Sequence, residues 1–210
     1  MNNLIDDLKW RYAVKQYDSV KKIPAETFEK IKEVLQLVPS SNGLQPYKFL
    51  IISSPEIRAE LRKVSFNQSQ ITDASHLIVF CSYKKLHETY YDNFIELNAT
   101  IRNIPVENLK NYSNHLKNGL LHRSEDETLQ ANEKQCYIAL GQLLQTAAHL
   151  RVDASPMEGF IAEKYNEILN LNNQNLTATV VCALGYRSEN DRMQHEQKVR
   201  KPQSDLFEFV

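Results

Sequence analysis

The chain has 210 residues and a formal net charge of −1, with 42% hydrophobic and 24% charged residues. This composition is typical of a globular protein, and the length fits a single domain. The near-neutral charge argues against a nucleic-acid-binding protein, which needs a basic face, and no apolar run approaches the ~18 residues of a membrane span.

The N-terminus lacks the pattern of a secretory signal, because Asp6 and Asp7 lie where its apolar core would be. Both residues instead suit the first turns of a helix over residues 2–10, capped by Asn2 or Asn3. The three cysteines lie in apolar or helical stretches without C-x-x-C spacing; they are Cys81, Cys136 and Cys182. This pattern predicts buried free thiols. We therefore expect a soluble cytoplasmic protein.

A polar loop over residues 39–47 joins two apolar elements. Apolar residues at helical spacing predict a helix from about 24 to 38, which Pro39 stops. The apolar run that follows predicts a buried strand over 48–53. Hydroxyl and amide side chains in the loop can bind a ligand above a rigid scaffold, or can simply bond their own backbone in a turn.

The remaining elements follow from hydrophobic periodicity. They are a helix over 56–64, a buried strand over 76–81, two helices within 86–120 separated by Pro105, a helix over 125–150, a helix over 161–169 and a strand over 177–186. The helix over 125–150 is apolar on most sides, so we expect it to be central and nearly buried. Residues 187–205 form a polar tail, and Phe207 and Phe209 near its end should pack on something, for example a partner subunit.

The chain has only five glycines and contains neither G-x-G-x-x-G nor a P-loop. A bound phosphate would therefore be held by side-chain cations and isolated backbone amides. Arg11 and Lys15 could face a common anion, or could be two solvated surface cations. Glu158 and Gly159 precede a helix and can point backbone N–H groups at a ligand, or can form an ordinary helix start.

Several short motifs occur in an order and spacing that resemble a known family. They are Arg11–Asp18, Pro39–Ser41 with Gln45–Tyr47, Phe66–Asn67, Asp73–His76, Pro156–Phe160, Gly185–Tyr186, and Lys198–Arg200 with Pro202–Gln203. Together they resemble the FMN-dependent nitroreductase family over essentially the whole chain. Within it they are most similar to the oxygen-insensitive NAD(P)H nitroreductases and the related dihydropteridine-reductase-like enzymes.

The resemblance implies an α+β fold with a central sheet flanked by helices, in one nitroreductase-like domain over residues 1–210. It also implies an obligate homodimer that exchanges an extended C-terminal tail over residues 186–210 between its protomers. The FMN site would then lie between two protomers.

The resemblance also implies roles for individual residues. Arg11, Lys198 and Arg200 match the positions that hold the FMN phosphate, and Tyr12 and Ala13 lie in the same cofactor-binding segment. Lys15 matches a lysine beside flavin N1 and O2. Asn67 matches an amide that bonds the pyrimidine edge.

The loop of Pro156, Met157, Glu158 and Gly159 matches one that covers a ring face, with the amides of Glu158 and Gly159 bonded to N5 and O4. Ser40, Ser41 and Asn42 would approach from the other protomer, and Gln45 belongs to the same motif.

Two positions depart from the family pattern. Ala13 stands where Ser or Thr is frequent, so one hydroxyl contact to the cofactor is lost. Gln70 stands where close relatives have Lys, near the nicotinamide site. We assign Phe66 and Gln70 to the substrate side of the site, where such a change affects nicotinamide preference and substrate range rather than flavin binding.

The activity implied is ping-pong hydride transfer from NAD(P)H through flavin N5 to a small-molecule acceptor such as a nitroaromatic or a quinone. No side chain need act as acid or base, and no metal is implied. The alternatives are a flavin-binding protein without nicotinamide turnover, and a sister reaction on the same fold such as reductive dehalogenation, flavin destruction or dihydropteridine reduction.

Overall fold

The centre of the molecule is a four-stranded antiparallel sheet with the strand order β1-β2-β4-β3. The structure is a computed structural model and describes residues 3–210. The strands are β1 (Tyr47–Ile51), β2 (His76–Tyr83), β3 (Asp153–Met157) and β4 (Leu176–Gly185). β2 and β4 are therefore central, whereas β1 and β3 form the two edges.

Eight α-helices surround this sheet within the described residues. They are α1 (Leu4–Trp10), α2 (Ala25–Leu37), α3 (Pro55–Lys63), α4 (Gln70–Asp73), α5 (Glu88–Arg102), α6 (Lys110–Leu120), α7 (Glu125–His149) and α8 (Ala162–Ile168). Short α4 is the only one of them that periodicity did not predict. The architecture confirms the predicted α+β class.

Helices cover both faces of the sheet, which explains why β2 is continuously apolar from Leu77 to Cys81. Ile78 and Phe80 pack in one core with residues of α2 and α7. Leu77 and Val79 alternate with them and pack in a second core with residues of α3 and α8. Because side chains alternate along a strand, a strand covered on both faces has no polar side.

Helix α7 is central, but the prediction that it is nearly buried is right for only one of its sides. It begins with a capping box in which Ser124 and Glu127 bond each other's backbone amides. One row of side chains packs against the sheet. On the opposite side Tyr137 and Ile138 are 41% and 46% exposed. An exposed apolar strip of this kind is available for contact with another protein surface.

Strand β3 was not among the predicted elements. The sequence Asp-Ala-Ser-Pro-Met has neither an apolar run nor strict alternation. Pro156 is tolerated because β3 is an edge strand, where one row of backbone N–H groups needs no ladder partner. Buried Asp153 is neutralised by Arg187, whose Nε donates to its Oδ1 at 3.0 Å. Both the edge position that tolerates Pro156 and the partner that neutralises Asp153 come from the tertiary structure and not from neighbouring residues.

Helix α1 is attached to the end of α7 through Asp7. The predicted cap Asn3 accepts a hydrogen bond from the amide of Ile5 at 3.0 Å, whereas the alternative, Asn2, lies outside the described residues. The carboxylate of Asp7 is buried and lies 2.9 Å from His149 Nδ1 and 2.9 Å from Arg151 Nη1. This contact fixes the middle of α1 against the C-terminal end of α7.

Stability below pH 4 should depend on Asp7. Its hydrogen bond with His149, opposed by burial and assisted by Arg151, holds its pKa below the ordinary value of 3.8. A depressed carboxyl pKa contributes stability above the unfolded-state value, and this contribution is lost as pH falls towards the folded-state value. Asp7→Asn should therefore be less stable than the parent at pH 7, and the gap should narrow below pH 4. Urea unfolding at pH 7, 4 and 3 measures the difference in free energy of unfolding between the parent and the variant. A difference that does not change with pH would contradict the prediction.

Residues 86–120 form a separate helical layer with its own core around Tyr91, Ile95 and Leu116. The predicted interruption at Pro105 is confirmed: α5 ends at left-handed Asn103, and a short 3-10 turn leads into α6. Among the described residues no helix has the length and apolar character needed to cross a bilayer.

The C-terminal tail leaves β4 and follows a largely extended path with two short 3-10 turns. Phe207 and Phe209, which we expected to pack on something, are 66% and 101% exposed. Leu206 and Val210 are exposed as well. The apolar end of the tail therefore finds no cover within the described part of its own chain.

Candidate functional site

The segment after α1 follows the outer edge of β3 and brings Arg11 to that edge. Ala13 forms a parallel bridge with Ala154, and Tyr17 forms an antiparallel bridge with Arg187. Arg11 is half-buried, and its Nε is buried without a hydrogen-bond partner within residues 3–210. Burial, and secondarily the charge of Arg200, lower the pKa of Arg11. Such a guanidinium favours an anionic partner.

The C-terminal tail returns to the same place and adds two cations. Lys198 Nζ donates to the backbone oxygens of Leu8 at 2.7 Å and Lys9 at 2.9 Å, and also contacts that of Arg11. These carbonyls end α1, where a cation is favoured by the helix dipole. Burial and then the charges of Arg11 and Arg200 lower the pKa of Lys198.

Arg11, Lys198 and Arg200 therefore converge, although they come from opposite ends of the chain. None of the three forms a salt bridge with a carboxylate in the described part of the chain. Three cations that repel one another at one point are stabilised when an anion neutralises them. The arrangement suits a phosphate group.

Asp191 fixes the backbone beside this cluster, and sequence analysis missed it. Its Oδ2 accepts hydrogen bonds from the amides of Lys15 at 2.8 Å and Gln16 at 3.2 Å and from the Tyr12 hydroxyl at 3.1 Å. Burial raises the pKa of Asp191, but these backbone hydrogen bonds outweigh it and lower that pKa overall. The contact leaves the Lys15 side chain exposed at the edge of the site. In the sequence, Asp191 is one carboxylate in a run of polar residues, and that was the only signal for it.

Arg187 was also missed. Its guanidinium pairs with Asp153 and lies 4.3 Å from the ring centre of Trp10 and 4.5 Å from that of Tyr12. The two aromatic residues flank Arg11 in sequence. Arg187 therefore ties β3 to the segment that carries Arg11, through a charge-assisted pair and two cation–π contacts.

Glu158 and Gly159 follow β3 directly and leave two backbone N–H groups free. Neither amide has a hydrogen-bond partner among residues 3–210. The amide of Phe160 donates to the backbone oxygen of Glu158 at 2.8 Å, and the Tyr137 hydroxyl donates to Glu158 Oε1 at 2.6 Å. Two successive free amides at a strand end can bind electronegative atoms of a ligand.

A second loop, Phe66–Gln68, packs against Gly159. Phe66 and Asn67 both have left-handed backbones, with φ of 51° and 57°. Asn67 Oδ1 accepts a hydrogen bond from Arg62 Nε at 3.0 Å. A Cβ added at Gly159 would lie 3.1 Å from Gln68 Nε2 and 3.7 Å from the Phe66 ring. The structure thus brings the predicted residue Asn67 close to the predicted loop 156–159.

The loop over residues 39–47 is not part of this cluster within one chain. It leads into β1, which is at the opposite edge of the sheet from β3. At the usual spacing between strands, these two edge strands are about 14 Å apart. Its polar groups bond locally: Ser40 Oγ accepts from the amide of Gln45 at 2.8 Å, and the amide of Ser41 donates to Gln135 Oε1 at 2.8 Å. Within one chain, Ser40, Ser41 and Asn42 therefore lie away from the cation cluster, and their assignment to the site of another protomer stays a prediction.

A sequence model described as the Nitroreductase family matches residues 8–186. The chain belongs to the nitroreductase family. The oxygen-insensitive NAD(P)H nitroreductase of Enterobacter cloacae is 31% identical over 93% of this chain and 94% of its own length. The Bacillus subtilis protein YfkO, named provisionally as an NAD(P)H nitroreductase, is 32% identical over 99% of this chain and 97% of its own.

Solved structures show that this nitroreductase-family chain shares its fold with others. A nitroreductase family protein of Streptococcus pneumoniae matches with a TM-score of 0.84 and 20% identity over 99% of this chain and 100% of its own. A protein of Exiguobacterium sibiricum, solved in complex with FMN, matches with a TM-score of 0.84 and 20% identity over 100% and 98% of the two chains.

The two residues predicted to lie on the substrate side of the site differ in accessibility. Phe66 is 72% exposed, so its ring is accessible. Gln70 is only 5% exposed, because α4 turns its side chain into the protein. The prediction that Gln70 binds substrate is therefore at odds with its burial, which leaves little of the side chain to contact one.

Proposed function

We propose that this protein is an FMN-dependent NAD(P)H oxidoreductase that reduces nitroaromatics, quinones or related acceptors. The observation that carries the proposal is the convergence of Arg11, Lys198 and Arg200 without a carboxylate partner in residues 3–210. Family membership, the name of the Enterobacter cloacae relative and the FMN complex of the Exiguobacterium sibiricum protein support it.

The residues present fit the cofactor. The orphaned Nε of Arg11, with Lys198 and Arg200, suits the FMN phosphate. The free amides of Glu158 and Gly159 suit the flavin N5 and O4. Asn67 would bond the pyrimidine edge, and the exposed Lys15 would lie beside N1 and O2. A positive charge at that place stabilises negative charge on the reduced ring.

The protein's part in the reaction is binding, orientation and electrostatics. When bound, FMN supplies hydride transfer in a ping-pong sequence, first from NAD(P)H and then to the acceptor that takes its place. We assign no side chain to proton transfer. Phe66 would form one wall of the space above the ring, since it is the large exposed aromatic side chain of its loop.

We further propose that the site is completed by a second copy of the chain. Ser40, Ser41 and Asn42 lie at the far edge of the sheet, so they can reach a flavin only across an interface. The edge of β1 faces a groove of about 730 Å³ lined largely by apolar side chains, among them Leu44, Phe49 and Phe94. The apolar end of the tail, residues 206–210, has the chemistry to fill this groove and extend the partner's sheet.

The proposal places the enzyme in the cytoplasm as one domain with a tail over residues 186–210. Its three cysteines are free and buried. Their number and settings suit a reducing compartment.

The purified protein should be yellow, and NADH or NADPH should bleach it under nitrogen. Added menadione or a nitroaromatic compound should then restore the colour, because the acceptor reoxidises the flavin. Absorbance near the flavin maximum measures each step. A colourless protein that does not become yellow with added FMN would contradict the proposal. A yellow protein that neither nicotinamide bleaches would instead support a flavin-binding protein without turnover.

A further inference from the structure

We infer that Gln68 is a positioning residue that sets the direction of the free backbone amide of Gly159. The inference rests on the proposed function, because this amide is one of the two expected to bind the flavin. Gln68 itself was not among the predicted site residues. It lies next to Asn67, at the contact between the two loops of the site.

The side-chain amide of Gln68 joins the two loops through two hydrogen bonds. Its Nε2 donates to the backbone oxygen of Gly159 at 2.8 Å and to that of Ser65 at 3.1 Å. Both acceptors are carbonyl oxygens, so the atom facing them must be the nitrogen of the amide. The bond to Gly159 therefore holds that carbonyl on the side of the Phe66–Gln68 loop.

The Glu158 carbonyl is held as well, by the amide of Phe160 at 2.8 Å. In a trans peptide the C=O and N–H bonds point in opposite directions. Fixing the oxygen of Glu158 therefore fixes the N–H of Gly159 on the other side. The hydrogen bond from Gln68 to the Gly159 oxygen prevents the next peptide, Gly159–Phe160, from rotating. It therefore keeps the amide of Phe160 in place to donate to the Glu158 oxygen.

Close approach at Gly159 and strain in the facing loop show that this contact is specific. A Cβ at Gly159 would come within 3.1 Å of Gln68 Nε2, so only glycine leaves room for the hydrogen bond without displacing the side chain. Phe66 takes a left-handed backbone, which a bulky residue with a Cβ disfavours. Strained backbone of this kind is retained mainly where a site depends on it.

The test compares Gln68→Met, which keeps the length but removes the donor, with Gln174→Met. Gln174 Nε2 also donates to a backbone oxygen, that of Asn170 at 3.1 Å, in a different loop. We expect Gln68→Met to weaken FMN binding about three- to tenfold, because the neutral hydrogen bond to the Gly159 oxygen no longer orients the loop. Gln68→Glu should weaken it further, because a carboxylate would face two carbonyl oxygens. Gln174→Met should bind FMN like the parent.

A second measurement does not depend on FMN. Amide hydrogen exchange at Phe160 in the full-length chain without cofactor should be about tenfold faster in Gln68→Met than in the parent or Gln174→Met, with the unfolding temperature unchanged. If FMN affinity and Phe160 exchange are both the same in Gln68→Met and Gln174→Met, the inference is wrong while the proposed function stands. If the parent binds no FMN, the proposed function fails, and exchange at Phe160 alone decides whether Gln68 holds the loop.

Discussion

Arg200→Ala should weaken FMN binding about tenfold to a hundredfold while leaving the ratio of activities towards different acceptors unchanged. Arg200 joins Arg11 and Lys198 around the proposed phosphate position, and one charge-assisted hydrogen bond contributes about 1.5–3 kcal/mol. The guanidinium bonds only the backbone oxygen of neighbouring Val199 within the described residues. Its removal should therefore disturb little besides ligand binding. Fluorescence titration of the flavin-free protein measures the affinity.

Lys201→Ala is the matched control for Arg200→Ala. Lys201 is the next residue of the tail, is exposed and carries the same charge. Its replacement should leave FMN affinity within about twofold, because an exposed charge outside the cluster is screened by solvent. Equal effects of Arg200→Ala and Lys201→Ala would show that only the net charge of the tail matters.

Lys198→Ala should lower FMN affinity through the loss of a positive charge beside the phosphate position, and should also loosen the end of α1. Lys198 Nζ bonds the backbone oxygens of Leu8 and Lys9, which lose their cationic partner in the variant. Unchanged FMN affinity in both Lys198→Ala and Arg200→Ala would remove the phosphate assignment.

A chain that ends at Lys201 should be monomeric and should retain little FMN at micromolar concentration. It keeps the two tail cations, Lys198 and Arg200, and loses the apolar end of the tail. Burying one phenylalanine contributes about 1.5–3 kcal/mol. Loss of Phe207 and Phe209 from each of two tails should therefore raise the dimer dissociation constant more than a hundredfold. Sedimentation and flavin absorbance of the same sample measure both effects.

The double variant Phe207→Ser, Phe209→Ser tests the same contact in a chain of full length. It should dissociate like the shortened chain. Val20→Ser is its control, since Val20 is also an exposed apolar residue but has no proposed role. A double variant or a shortened chain that remains dimeric and yellow would show that the tail does not complete the site.

Much of the local structure could be predicted because it depends on neighbouring residues. Apolar residues at helical spacing, ended by Pro39, predicted α2 within one or two residues of its observed ends. The two central strands, β2 and β4, were predicted because burial on both faces makes the middle of β2 and the second half of β4 continuous apolar runs. The free thiols were predicted from their apolar settings.

Elements that depend on distant partners were missed. β3 contains Asp153 and Pro156, and it forms a strand only because Arg187 neutralises the first and the edge position tolerates the second. Asp191 lies in a polar stretch with no periodicity, and its role appears only when Lys15 and Tyr12 are folded against it. Burial of Gln70 follows from the direction in which α4 packs, which four residues do not reveal.

The amino-acid sequence by itself determined the α+β class, most helices and strands, and, through its motifs, the resemblance to nitroreductases. Only the tertiary structure decided that Arg11 and Lys198 meet at the end of α1, that Glu158 and Gly159 keep their amides free, and that residues 40–42 lie at the opposite sheet edge. The physical reason is that periodicity records which face of an element is buried. It carries no information about which distant segment will supply the partner, because that depends on how the whole sheet and its helices pack.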